Sequence, residues 1–196
     1  MKKLHLIAGK DILRPAQQYI QVRNGFAYVT DSHTAIKAEI TEVMPILEDM
    51  PSEYYILAKD WANMAKVQPI ALIREGNYIK AIGKKNTFIC PFMDAATFSD
   101  KIGRYPDVNS VLPSIPDMSE NTVHSFGISP ELLYNLSEAM GGGSVCVISK
   151  GDTKVFFVYP IIDGEPKMFG VIMPVYVGQD KKDDIKNTIN NLISAK

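Results

Sequence analysis

Residues 54–92 and 123–177 run through the same order of elements twice. In the first, "YYILAKDWANMAKV" (54–67) reads as an apolar strand entering a short helix, with Lys59 and Asp60 at its start. "IALIREGNYIKAIG" (70–83) reads as two strands around Glu75-Gly76-Asn77, and "NTFICPF" (86–92) as a further strand. In the second, "VHSFGI" (123–128) is strand-like, and "SPELLYNLSEAM" (129–140) is a helix with Ser129 as N-cap and Pro130 at its first position. Gly141 to Gly143 stop that helix. "SVCVIS" (144–149), "TKVFFVYP" (153–160) and "FGVIMPVYV" (169–177) follow as strands. Strand, helix, strand, strand, strand therefore occurs twice. Each unit must bury its sheet face and its helix against a neighbour, so the repeat predicts an α+β fold with antiparallel sheets and short helices on one side.

The segment 3–40 resembles the same unit without its helix. "KLHLIAG" (3–9) alternates weakly as a strand. "QYIQV" (18–22) and "FAYVTD" (26–31) flank Arg23-Asn24-Gly25, whose Asn-Gly pair is a strong hairpin signal, and "TAIKAEI" (34–40) makes a third strand. Pro15 discourages a helix between residues 9 and 17. The stretch 41–52, with Pro45 and Pro51, is a loop. Residues 103–113, "GRYPDVNSVLP", have neither helical nor strand period and read as a connector. The expected organisation is a first domain over 1–103, a connector over 104–120, a further unit over 121–178 and a terminal helix over 179–196. In that last segment Ile185, Ile189, Leu192 and Ile193 fall on one stripe.

Composition excludes several classes. The 196 residues carry 21 basic and 22 acidic side chains, so the whole molecule has no broad attraction for nucleic acid or membrane. Cys90 and Cys146 each sit in an apolar strand-like run, without CxxC or zinc spacing, and read as buried thiols. The start, "MKKLHLIAGKD", is too short and polar for a signal peptide, and no stretch has the apolar length of a membrane span. A cytoplasmic location is expected. His5, His33 and His124 lie far apart, and no HExxH, GxSxG, P-loop or GxGxxG is present. "MGGGS" (140–144) follows a helix instead of opening one, so it caps the helix and holds no phosphate. The expectation is a non-enzyme with no catalytic residue, no metal and no cofactor.

Three phrases then stand out in order: "VTDSHTAIKAE" from Val29 to Glu39, "YPDVNSVLP" from Tyr105 to Pro113, and "VIMPVYV" from Val171 to Val177. With the repeat, they resemble the bacterial sliding DNA clamp, the beta subunit of the replicative polymerase. That family has phrases like ATDGHRLA, FPDYRRVLP and VVMPMRL in the same order. The resemblance covers roughly residues 18–177 and implies clamp-like repeats.

It further implies a groove that binds short hydrophobic peptides of polymerases, loaders and repair proteins. Thr30, Ser32, His33, Thr34 and Ala35 would form one wall, and Pro106, Ser110 and Val111 would come from the connector. Val171, Ile172, Met173, Pro174 and Val175 would form the other wall. Ser32, Thr34 and Ala35 stand where the family has glycine, arginine and leucine, and Ser110 stands where it has arginine. Lys59 and Lys66 on the first helix are the candidate DNA-facing residues. The second helix carries Glu131 and Glu138 and no basic residue, so double-stranded DNA would be held weakly. Two functions are compatible with this pattern. One is a clamp-like processivity or accessory factor, forming a homo-oligomeric ring on DNA. The other is a peptide-binding module of clamp-derived fold that does not encircle DNA.

Overall fold

The computed structural model describes residues 1–111, 127–149, 155–162 and 167–174. The terminal segment 179–196, most of the expected strand 123–128, and the connector beyond residue 111 lie outside the described residues. Strands β1 (Tyr19–Arg23), β2 (Phe26–Thr30) and β3 (Thr34–Glu39) form a meander. Its first turn is Asn24-Gly25, both with positive φ (51° and 80°), which a tight hairpin of right-handed twist requires. A single helical turn, α1 (Ile40–Val43), leads through a loop to β4 (Glu53–Leu57), which returns antiparallel to β1. Helix α2 (Ala58–Val67) follows, burying Trp61 and Met64 at i, i+3. Strands β5 (Ala71–Glu75), β6 (Tyr78–Ile82) and β7 (Thr87–Pro91) then form a separate three-stranded sheet. The expected strand–helix–strand–strand–strand order is thus present over residues 53–91.

The short strand β8 (Met93–Asp94) pairs with β4 and opens helix α3 (Ala95–Lys101), where the Asp94 side chain accepts the Thr97 N–H at 2.8 Å. The one-turn helix α4 (Val108–Val111) ends the first described stretch. Helix α5 (Pro130–Met140) begins as the sequence predicts, with the Ser129 side chain accepting the Leu132 N–H. It ends at Gly141 (φ 119°), where the Gly142 N–H reaches back to the Ser137 carbonyl and closes a Schellman motif. Strands β9 (Val145–Ser149), β10 (Phe156–Pro160) and β11 (Met168–Ile172) are the last elements of the described residues.

The order in the large sheet is β8-β4-β1-β2-β3-β11-β10-β9, eight strands with antiparallel pairing throughout. The join is β3 with β11, in the register Ile36 to Gly170 and Thr34 to Ile172. Helices α2 and α5 lie on one face, over a core that includes Ile20, Val29, Ile36, Trp61, Leu136 and Ile172. Gly170 permits that approach, because a Cβ there would stand 2.6 Å from Leu136 Cδ1 and 2.9 Å from Met140 Cε. The opposite face is covered by α3, α4 and the turn between them, through Phe98, Tyr105 and Val108.

One expected strand is not a strand. Residues Leu4–Leu6 form a 3-10 turn, and Leu4, Ile7 and Ala8 are buried at i, i+3 and i+4. A helical period wedges these side chains between α2 and α5, where the Trp61 indole donates to the Lys2 carbonyl at 2.9 Å. The Leu4/Leu6 alternation gave the wrong period because only Leu4 of that pair is fully buried.

Candidate functional site

The segment 30–35 is shaped by Asp31. Its Oδ1 accepts from the His33 N–H (2.9 Å), the Thr34 N–H (2.7 Å) and the Thr34 hydroxyl (2.9 Å), so the chain reverses tightly between β2 and β3. Thr30 Oγ1 donates to the Thr34 carbonyl and accepts the Ser32 N–H. Ser32 is driven to φ 79°, a region L-residues visit at a cost of roughly 1 kcal/mol. Its hydroxyl is held by Arg14 Nη1 at 2.7 Å and Gln17 Nε2 at 2.6 Å. The Met173 N–H donates to the His33 carbonyl at 2.8 Å, tying the end of β11 to this turn.

The connector is anchored by Tyr105, buried beside Tyr55 and Phe98. Its hydroxyl lies 3.0 Å from the Tyr19 carbonyl and 3.2 Å from that of Tyr28, and burial pushes its pKa well above the ordinary phenol value. Tyr55 is raised to about 12 by burial and by its hydrogen bond to Glu53. Asp107 caps the turn into α4 through the Asn109 N–H. Val108 is thereby set against the sheet beside Ala35 and Val171.

Around one cavity of about 280 Å³ the structure brings together Thr30, Ser32, His33, Thr34, Ala35, Pro106, Val171 and Met173. All three phrases contribute to it. Gln17, Asp107, Val108 and Val155 also line it and were not anticipated. The signal for Val108 was its place after the Asp107 cap. Nothing local marks Gln17, which lies in the 3-10 turn Pro15–Gln18, or Val155, which precedes β10.

Ile172 does not belong to this wall. Neighbouring residues on a strand point to opposite faces, so Val171 faces the cavity while Ile172 is fully buried under α2 and α5. Ser110 is exposed and donates its hydroxyl to the Asp107 carbonyl, outside the lining. Pro174 is half-buried and also outside it. Val111 ends α4, and Val175 lies outside the described residues. Lys59 and Lys66 are exposed on α2, away from the cavity. Among the described residues no three of His, Cys, Asp and Glu are placed to hold a metal, and no helix is long and apolar enough to cross a membrane.

No protein-family model and no curated protein sequence matches the chain. Solved structures do match. The DNA polymerase sliding clamp from Bacillus subtilis superposes with a TM-score of 0.60 at 16% identity, over 89% of this chain and 60% of that one. The Pseudomonas aeruginosa sliding clamp bound to griselimycin gives 0.57 at 14%, over 90% and 64%. The Helicobacter pylori beta clamp in complex with carprofen gives 0.58 at 11%, over 89% and 62%. The fold is therefore that of the bacterial sliding clamps, an α+β arrangement of antiparallel sheets with a few short helices. The chain spans less than two thirds of the length of each of these clamps.

Proposed function

We propose that the chain acts as a sliding-clamp-like accessory factor of DNA replication, receiving short hydrophobic peptides of replication or repair proteins. The observation that carries this reading is the single cavity shared by the 30–35 turn, the connector at 106–108 and the end of β11. Its wall of Ala35, Val108, Val155, Val171 and Met173 suits an apolar side chain, and the polar turn beside it suits an extended main chain. Pro106 and the anchored Tyr105 hold the connector in place before a peptide arrives, which lowers the ordering cost of binding. Met173, 48% exposed at the rim, is the residue to test. Met173→Glu places a charge at the apolar wall and is expected to weaken a bound peptide by about 2 kcal/mol or more. Titration of the peptide against both proteins, each checked by thermal melting, decides; equal affinity would sink the reading.

A second reading, a module that does not encircle DNA, is favoured by the charges on the helices. Lys59 and Lys66 on α2 are offset by Asp60, Glu131 and Glu138, and Glu138 is already paired with Lys3 at 2.6 Å. Light scattering after size exclusion separates the two readings, since a ring requires a defined oligomer and a module can be a monomer. Either way, affinity for linear duplex is expected to be weak and to fall steeply as salt rises.

A further inference from the structure

Beyond β11 the sequence carries one apolar stripe without an assigned surface. Ile185, Ile189, Leu192 and Ile193 fall at i, i+4, i+7 and i+8, and every other residue of 186–194 is polar. A helix so short is marginal in water by itself, so such a stripe needs an apolar surface to lie on. Along the chain, the nearest apolar concavity is the cavity beneath the 30–35 turn. Strand β11 ends at Ile172, and the next residue, Met173, lines that cavity with its N–H bonded to the His33 carbonyl at 2.8 Å. Residues 175–196 therefore follow directly from the cavity's rim.

We propose that the segment 179–196 is a tethered ligand of this groove, which a partner peptide has to displace. The inference rests on the peptide-binding reading above and adds a regulation of that same site. The cavity, about 280 Å³, falls below the roughly 300–1,000 Å³ usual for small-molecule sites and suits the side chains of a chain segment. Ala35, Val108, Val155, Val171 and Met173 offer aliphatic anchors an apolar wall. The tether is long enough. At about 3.3 Å per extended residue, Ile185 can stand up to roughly 40 Å from Met173, so the stripe can fold back over the rim without strain. A tether of this length also holds the stripe at an effective concentration on the order of millimolar. A contact too weak to matter between separate molecules would then keep the groove filled, and only a partner that binds more strongly would open it.

The test uses the full chain and a double variant of it, Ile189→Glu with Leu192→Glu, which puts charge into the stripe. Linear peptides are selected from a display library on both proteins. The best binder is labelled and measured by fluorescence anisotropy, and thermal melting establishes that each protein is folded. The double variant is expected to bind it roughly tenfold more tightly than the wild type, because the tethered competitor is gone. A labelled synthetic peptide of residues 179–196 is expected to bind the double variant and to lose that binding when Met173→Glu is added. Equal affinity of the selected peptide for wild type and double variant, with Met173→Glu still abolishing it, overturns the inference and leaves the peptide-binding reading standing. If no peptide is selected on either protein, or Met173→Glu leaves every affinity unchanged, that reading falls and the inference with it. Should the double variant not fold, photo-cross-linking with the native tail decides. A benzophenone amino acid in place of His33, at the cavity's rim, is expected to cross-link to the tryptic peptide 187–196, and absence of that adduct overturns the inference.

Discussion

The unit around α2 and the helix–strand–strand–strand run that begins with α5 share a local pattern and end in different surroundings. After α2, strands β5, β6 and β7 stand as a sheet of their own, with Ile73, Tyr78 and Ile89 about half exposed on the outer face. After α5, strands β9, β10 and β11 extend the large sheet, because β11 pairs with β3 over five residue pairs. In both units the helix does the same work, burying Trp61 and Met64 in one and Leu136, Ala139 and Met140 in the other. The difference lies at the free edge. The repeat dictates a helix lying on strands, but which strand accepts the next edge depends on residues far away. Only the copy that finds β3 creates a seam, and the candidate groove lies at that seam.

The largest effect expected from breaking this comparison is in the helices. Trp61→Ala removes a fully buried indole and the hydrogen bond to Lys2, and is expected to cost about 3–5 kcal/mol. Leu136→Ala, a fully buried position of α5, should cost about 2–5 kcal/mol. Both side chains belong to one core that crosses the β3–β11 seam, so denaturant titrations should show a single transition shifted in each variant. Two separate transitions, one moved by each substitution, would mean that the units fold independently.

How much of this was legible follows from how local each cause is. The hairpin at Asn24-Gly25, the cap at Ser129-Pro130 and the stop at Gly141 are set by a few adjacent residues, and the structure has each where the sequence points. Helix α3 was missed although Asp94 caps it and Phe98, the centre of the aromatic cluster, is its buried residue. There the signal was present and too short to weigh against the neighbouring strand pattern. The site divides the same way. The three phrases marked eight of the cavity's residues, whereas Gln17 and Val155 come from segments whose neighbours are chosen by tertiary pairing. Ile172 was a phase error. Val171 and Met173 share one face of an alternating strand, which puts Ile172 on the other.

The seam itself is tested by Gly170, where α5 comes closest to the sheet. Gly170→Val would drive a side chain into the Leu136 methyls and the end of Met140. Those ends can shift, so the cost is expected at about 1–3 kcal/mol instead of loss of folding. Chemical denaturation measures it. An unchanged midpoint would show that α5 does not press on β11 as described.

A smaller effect sharpens the contrast between the two helix ends. Helix α5 stops at Gly141, which adopts its left-handed φ without strain, but α2 stops at Gln68 with φ 52° and ψ 62°. Gln68→Gly is expected to stabilise the protein by up to about 1 kcal/mol. Thermal melting would show a raised midpoint; a lowered one would mean that the Gln68 side chain contributes more than its backbone costs.

The smallest effect lies between the two units, where the turn carrying His5 packs against both α2 and α5. The His5 Nδ1 is buried without a hydrogen-bond partner among the described residues. Burial lowers the imidazole's pKa, and the positive charges of Lys3 and Lys66 lower it further. The folded-state value therefore lies below the unfolded value of about 6.5. Above that pH the imidazole is neutral in both states and contributes nothing to the balance. As pH falls through about 6.5 the unfolded chain takes up a proton that the native state refuses, so stability drops until the folded-state pKa is reached. Most carboxylates titrate lower, so stability measured by urea titration should decline from pH 7 toward pH 5.5, and His5→Gln should flatten that decline. A slope unchanged by the substitution would place the pH dependence elsewhere. It would also show that the wedge between α2 and α5 admits a charged His5, in which case the two units are less tightly joined there than the buried Nδ1 implies.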